Sequence, residues 1–521
     1  MIFTNLRYIG RIREVLGIFV EHNLLSLLND IWSKPPYQIQ IVFFLFSHGL
    51  KPSAAISNLR PGERLGLALQ KLGPCFIKLG QALSVRSDII GEEIANDLSA
   101  LQDQLPPFSG NEARQAVVQE FGQPLEKIFK FFADEAIAAA SIAQVHFATT
   151  VDGNPVAVKI LRPKVEEAFA RDLAFLDWLA KTTENHVPGM HRLRLVEVVQ
   201  TLKRTVALEM DLRLEAAAGD ELRSNFEEDS TFFVPKMDWA RTGRRVLTTE
   251  RIEGFPIDEI ETIKKTGLDV KTLVGNMARI LFLQVFRDGF FHADLHPGNL
   301  TVSPNGSIQA VDFGIMGRID RQTRFYLAEM LIGFLNADYE KVASVHFRAG
   351  YVPATQSEDQ FAQAARAIAE PIFGLPLKEI SLARLLSQLF QITQHFEMEV
   401  QPQLLLLQKT MLVAEGVGRQ LYPEANMWQL ARPLIEEWMQ EELTPEVRAA
   451  ETLSEAGKFL ERLPVLIAEM SDTVENLSQR GIRLHQNTLD AMFNTNKQKS
   501  NWRWWVGFLF VLGILFALLW L

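Results

Sequence analysis

A single cysteine, Cys75, in 521 residues sets the first limit on this chain. A lone thiol excludes an intrachain disulfide and suits a reducing compartment. It also excludes the cysteine-rich ligand sets of zinc ribbons and fingers. Positive charge is not in excess: 53 Lys and Arg stand against 63 Asp and Glu, for a formal net charge of −10. Nucleic-acid binding needs clustered cations to neutralise phosphates, so no nucleic acid is expected among the partners. The amino terminus does not read as a signal peptide, because Arg7, Arg11 and Arg13 interrupt any apolar run before Val20. Residues 14 to 48 are apolar only in short blocks such as Ile41–Phe46, too brief to span a bilayer, and read as amphipathic or core helices. Internal repeats and low-complexity segments are missing, and the 10 histidines are scattered.

Against these absences stands His292-Ala293-Asp294-Leu295-His296-Pro297-Gly298-Asn299, followed downstream by Asp312-Phe313-Gly314. The spacing is that of a phosphoryl-transfer centre, in which a catalytic-loop Asp acts on the nucleophile's proton while a following Asn and the Asp of D-F-G hold magnesium. Asp294 takes the catalytic position, and Asn299 and Asp312 the metal positions. Leu300-Thr301-Val302 and Ile308-Gln309-Ala310-Val311 flank the turn signal Ser303-Pro304-Asn305-Gly306, which predicts a β-hairpin delivering Asp312 beside the catalytic loop.

Such a site needs a strand lysine for the α- and β-phosphates of ATP or ADP, and Lys159 in Val156-Ala157-Val158-Lys159-Ile160 fits. A lysine on an apolar strand is costly to bury unpaired, so a following helix should supply a carboxylate, which we assign to Glu215. Glu209 and Asp211 then take another role or form a solvated acidic face. Glycine is lacking where it would be expected. Aligning a G-x-G-x-x-G-x-V loop on Val145 puts Ala138, Ala140 and Ala143 at the glycine positions, within Ile137-Ala138-Ala139-Ala140-Ser141-Ile142-Ala143-Gln144-Val145. Alanine lacks glycine's freedom at positive φ and its close approach to phosphate, so nucleotide handling along this segment should be unusual.

Taken together, Lys78-Leu79-Gly80-Gln81, Glu209-Met210-Asp211, the alanine-rich loop from Ala138 to Val145, and His292 to Asn299 with Asp312 resemble the UbiB family of ABC1-type atypical kinase-like proteins. The stretch from Leu72 to Asp88, continuing through Leu101 to Phe108, is similar to that family well beyond a short motif. The resemblance implies a helical K-x-G-Q extension, with Lys78 and Gln81, folded over the active site where a protein substrate would otherwise dock. It also implies ATPase-like activity supporting ubiquinone synthesis, with lipid quinone precursors or ubiquinone-biosynthesis enzymes as partners. A pseudokinase scaffold that binds nucleotide and recruits those enzymes is the alternative, disfavoured because a scaffold has no chemical need for Lys159, Asp294, Asn299 and Asp312. A small-molecule kinase of the aminoglycoside or choline type shares the His-x-Asp-Leu-His-x-x-Asn pattern but lacks the Lys78–Gln81 extension.

The carboxyl end differs from the rest. Trp504 to Leu521 carries no side-chain charge and follows Lys497, Lys499 and Trp502-Arg503. As a helix it would extend about 27 Å, close to the hydrocarbon thickness, and the flanking cations place the large domain on the cytoplasmic face of a bacterial inner membrane. The family usually shows two such spans, and this chain has room for one. The expected fold class is α+β, a bilobal protein-kinase-like fold with a helical N-terminal extension and a C-terminal transmembrane helix. Residues 1–120 form the N-terminal region, 121–255 a small lobe, 256–494 a large lobe with C-terminal helices, and 504–521 a membrane anchor. Glu250 to Gly254 marks the hinge between the lobes, Leu466, Met470, Val474 and Leu477 form a helical packing stripe, and the oligomeric state stays open.

Overall fold

Val156, Val158 and Ile160 alternate with Ala157 and Lys159, and this period of two makes the segment a strand with two unlike faces. In the computed structural model, which describes residues 8–24, 56, 59–84, 90–99, 105–186, 194–373, 396–398, 401–424 and 427–442, that strand lies inside an antiparallel sheet. Leading up to it are α1 (Ile9–Glu21), α2 (Pro61–Leu72), α3 (Pro74–Ser84), α4 (Glu92–Ser99), α5 (Gly110–Phe121) and the one-turn α6 (Leu125–Ile128). Local chemistry sets several of their ends. Pro61 opens α2 with a capping contact between Arg60 and Glu63, and Ser109 and Glu112 form a capping box on α5.

The sheet comprises β1 (Phe129–Phe132), β2 (Ala138–Ala139), β3 (Ala143–Thr150), β4 (Pro155–Leu161) and β6 (Val246–Glu250), in the order β1-β3-β4-β6 with β2 on β3. Val156, Val158 and Ile160 pack with Val246 and with Ala113 and Val117 of α5. The alternation turns Lys159 to the opposite face. Between β4 and β6 run α7 (Val165–His186), α8 (Leu195–Glu209), α9 (Leu212–Asn225) and β5 (Phe232–Phe233).

Past Glu250 the chain leaves this sheet, and β7 (Phe255–Pro256) joins a second sheet of order β5-β10-β9-β7 with β9 (Leu300–Val302) and β10 (Ile308–Ala310). The segment expected as a hinge therefore connects the two sheets. Helices α10 (Ile260–Lys265) and α11 (Val270–Phe282) lead through a π-turn at Leu283–Asp288 to β8 (Phe290–His292), which pairs with β11 (Met316–Arg318). Then come α12 (Arg321–Leu335), α13 (Tyr339–Arg348), α14 (Glu358–Phe373), α15 (Pro402–Leu421) and α16 (Met427–Glu442).

Among the described residues no helix is long and apolar enough to cross a membrane. The segment 504–521 and the stripe from Leu466 to Leu477 lie outside the described residues.

Packing beyond the site makes one pH-dependent demand. His346 of α13 is buried against Phe361, ring centroids 4.8 Å apart, with Nδ1 donating to the Val342 carbonyl at 2.7 Å. Burial pushes its pKa from the ordinary 6.5 down to about 4. The unfolded chain takes up this proton first, so the contribution is complete above 6.5 and is lost as pH falls towards 4. At pH 5 the loss amounts to about 2 kcal/mol. Denaturant melts of His346→Leu at pH 7.5 and pH 5 should show a pH-dependent loss smaller than that of the unmodified chain by this amount; an unchanged loss would refute the assignment.

Candidate active site

Lys159 projects from β4 between two carboxylates. Its Nζ donates to Glu215 Oε1 at 2.7 Å and to Asp312 Oδ2 at 2.8 Å. Lys159 and Glu215 are 15% and 7% exposed, whereas Asp312 keeps 38% and so remains accessible. Burial works against the ammonium, but the Asp312 and Glu215 charges outweigh it and hold Lys159 above the usual lysine range. Burial likewise works against Asp312, and Lys159 with the Gly314 N–H holds that carboxyl well below the usual carboxylate range. Glu215 is pushed up, chiefly by burial. Two acids thus share one ammonium, and Asp312 has the firmer hold on the negative charge.

Glu215 reaches this position because α9 restarts the chain after a break. Helix α8 ends at Glu209, and Asp211 caps α9 by accepting from the Arg213 N–H at 3.2 Å. Glu215 then lies in the first turn of α9, and Gly219 lies one turn further on the same face. A Cβ at Gly219 would fall 2.8 Å from Phe313 Cδ2, so the bare backbone lets the Phe313 ring pack against the helix that carries Glu215.

The catalytic loop is tied to Asp-Phe-Gly by His292. Its Nδ1 accepts from the Asp294 N–H at 3.2 Å, so Nε2 carries the proton and donates to the Asp312 carbonyl at 2.5 Å. Burial lowers the His292 pKa, which keeps the ring neutral and this pattern intact. The π-turn sets up the other side of the loop, because Gln284 on it accepts from the His292 N–H at 2.9 Å. Asn299 Nδ2 donates to the Asp294 carbonyl at 3.0 Å. The β9–β10 hairpin forms with Leu300 opposite Ala310, and the Val311 N–H donates to the Asn299 carbonyl, which brings Asn299 alongside the residue preceding Asp312.

Among the described residues no donor reaches Asn299 Oδ1, and no cluster of three or more His, Cys, Asp or Glu suits a metal. One carboxylate with one carboxamide oxygen fits a hard cation that keeps several waters, which is how magnesium binds beside phosphates. Asp294 Oδ2 lies 3.7 Å from His296 Nε2, and Asp294 Oδ1 accepts from Lys409 of α15 at 3.1 Å. Neither Lys409 nor Gln284 was singled out in the sequence. Lys409 lies far downstream of the motif, with no spacing that points back to it, and a glutamine in an apolar helical run gives no sign of its use.

The alanine-rich segment is a hairpin. Ala138 pairs with Val145 and Ala139 with Gln144, and the Ala140 N–H donates to the Ala143 carbonyl at 2.8 Å. Ser141, Ile142, Ala143 and Gln144, expected as nucleotide contacts, bury their side chains, while Ile137 and Ala138 are exposed. Gln144 is occupied: it accepts from the Phe108 N–H at 2.9 Å and donates to the Phe108 carbonyl at 3.1 Å. Arg162 donates to the Ala140 carbonyl at 2.8 Å and to the carbonyls of Leu105 and Pro106. What this segment can offer a ligand is therefore mainly backbone and the exposed alanine face.

Lys78 of α3 meets Glu209 Oε2 at 3.0 Å, both side chains being nearly buried. Of the acidic pair Glu209 and Asp211, Glu209 is the one with a described contact to Lys78. Asp211 pairs with the Arg213 guanidinium at 2.7 Å while it caps α9, because the break at Met210 turns it away from the end of α8. The described hydrogen bond at Gln81 is one its carbonyl accepts from the Ser84 hydroxyl at 2.8 Å.

The ABC1 atypical kinase-like domain matches residues 100–346, and the UbiB helical domain matches residues 365–426. A protein of Marinobacter nauticus named "Probable protein kinase UbiB" is 38% identical over 96% of this chain and 91% of its own length. Its namesake in Pseudomonas paraeruginosa is 44% identical over 81% of this chain and 79% of its own. A solved structure described as "The complex structure of Rv3197-erythromycin from Mycobacterium tuberculosis" shares 26% identity with a TM-score of 0.49, over 68% of this chain and 90% of that one. The chain has a mixed helix-and-sheet, kinase-like fold and belongs to the UbiB family of atypical kinase-like proteins.

Proposed function

We infer that this chain uses magnesium-bound ATP in an atypical phosphotransferase or ATPase reaction that supports ubiquinone synthesis at the bacterial inner membrane. The observation that carries the reading is the joining of Lys159, Glu215 and Asp312 beside a catalytic loop whose Asp294 and Asn299 are held in place by hydrogen bonds. In this reading Lys159 binds the α- and β-phosphates, and Glu215 keeps its ammonium charged and aimed. Asp312 and Asn299 hold magnesium, which neutralises phosphate charge when bound. Asp294 accepts the proton of the attacking hydroxyl or water. The alanine hairpin covers the nucleotide with less backbone freedom than a glycine loop would have.

Two features favour a small or membrane-borne acceptor over a polypeptide. The Lys78–Glu209 pair fastens the N-terminal extension to the end of α8, directly before the helix that carries Glu215. The uncharged apolar run 504–521, preceded by Lys497, Lys499 and Arg503, has the composition of a membrane anchor that would hold the large domain on the cytoplasmic side. The test is magnesium-dependent phosphate release by the purified full chain, alone, with phospholipid vesicles, and with vesicles carrying a phenolic lipid analogue. Turnover that rises with the phenolic lipid is expected. Nucleotide binding without release in any arm would instead establish the scaffold, and efficient phosphorylation of added peptides would remove the preference for small acceptors.

A further inference from the structure

Lys409 has no role in the reading above, although it touches the proposed catalytic carboxylate. Its Nζ donates to Asp294 Oδ1 at 3.1 Å from the middle of α15, a helix inside the segment matched by the UbiB helical domain. The helix is firmly seated. Leu407, Met411, Ala414 and Val417 are buried, and α15 packs on α11 and β11. The Lys409 side chain keeps 33% exposure, so a fixed stem carries an ammonium that solvent or ligand can reach.

Position makes this pair more than a surface contact. A proton acceptor must lie within about 3 Å of the attacking oxygen, which itself lies about 3–3.5 Å from the reacting phosphorus. An ammonium in contact with Asp294 is therefore within a side-chain swing of the group being transferred. Among the described residues Lys159 and Lys409 are the Lys or Arg side chains that reach Asp294 or Asp312, and Lys159 is committed to Glu215 and Asp312.

We propose that Lys409 is a catalytic cation, inserted by the helical domain to clamp the phosphoryl group in flight; the proposal rests on the phosphoryl-transfer reading. The acceptor oxygen, from water or a hydroxyl, forms a bond to the γ-phosphorus as the bond to the bridging oxygen breaks. The electron pair of that bond leaves on the β-phosphate of ADP, and the acceptor's proton passes to Asp294. With that proton on the Asp294 carboxyl the contact to Lys409 weakens, and Lys409 Nζ transfers its hydrogen bonds to the phosphoryl oxygens. The helical domain thereby completes the active site, and any movement of α15 alters turnover directly.

The test compares Lys409→Met and Lys409→Arg in the full chain. Phosphate release, ADP affinity, affinity for ADP with aluminium fluoride as a transition-state mimic, and thermal melting are measured, with Asp294→Asn alongside. Lys409→Met should lower kcat by about 10²–10³-fold. It should also weaken the aluminium fluoride complex while leaving ADP affinity, the KM for ATP and melting near those of the unmodified chain, and Lys409→Arg should restore at least part of the kcat. A Lys409→Met kcat equal to or above that of the unmodified chain, or a joint loss of ADP affinity and melting temperature, would overturn the proposal. If the unmodified chain neither releases phosphate nor binds the aluminium fluoride complex more tightly than ADP, the phosphoryl-transfer reading itself fails, and the role of Lys409 with it.

Discussion

In Asp312→Asn, magnesium-dependent phosphate release should fall by at least about 10³-fold, with nucleotide affinity losing its dependence on magnesium. The substitution keeps shape and removes charge. In the native site Asp312 is held ionised by Lys159 and the Gly314 N–H, and it retains enough exposure to reach a cation. An amide there cannot neutralise a divalent metal beside phosphates, and Asn299 alone offers a neutral oxygen. Asp294→Asn should behave differently. Its backbone ties to His292 and Asn299 do not involve the carboxylate, so the loop keeps its shape. Turnover should drop by about 10²–10⁴-fold while magnesium-dependent binding persists. Titrating magnesium against nucleotide binding in both variants checks this, and equal loss of binding in the two would merge roles that are kept separate here.

How much of this could be read from the sequence depended on how local each interaction is. The hairpin from Leu300 to Ala310 was legible because strand period and turn chemistry act over neighbouring residues, and its register then carries Asp312 to the catalytic loop. The pairing of Lys159 with Glu215 was legible for an energetic reason, since a lysine on an apolar strand requires a carboxylate. The break at Met210 was not legible. Glu209, Asp211 and Glu215 follow one another closely in sequence, yet they respectively end one helix, cap the next and line the site. The alanine hairpin also ran against local preference, because alanine favours helices and here is held in strands by pairing with Val145 and Gln144. Lys409 reaches Asp294 only through the packing of α15, which no spacing within the motif encodes.

Lys159→Met should destabilise the chain more than Glu215→Gln, and the double variant should recover stability without recovering turnover. The asymmetry follows from two acids sharing one ammonium. Removing Lys159 leaves Glu215 and Asp312 facing each other with no cation between them; Glu215 is buried, but Asp312 is 38% exposed, so solvent screening holds the cost below the about 3–5 kcal/mol of a fully buried pair. Glu215, already pushed up by burial, is the group that takes a proton to relieve this, so the deficit should shrink as pH falls. Glu215→Gln leaves Lys159 paired with Asp312 and should cost less. In the double variant Asp312 faces a neutral amide and the cost of opposed charges disappears, so the two substitutions should be strongly non-additive. Turnover should be lost in all three proteins: Lys159→Met deletes the phosphate contact, and Glu215→Gln leaves the ammonium to Asp312, away from a nucleotide. Melting curves at pH 5 and pH 7.5 with parallel phosphate-release assays check both halves. Additive stability losses, or a Glu215→Gln protein with normal turnover, would show that Glu215 neither compensates nor aims the lysine.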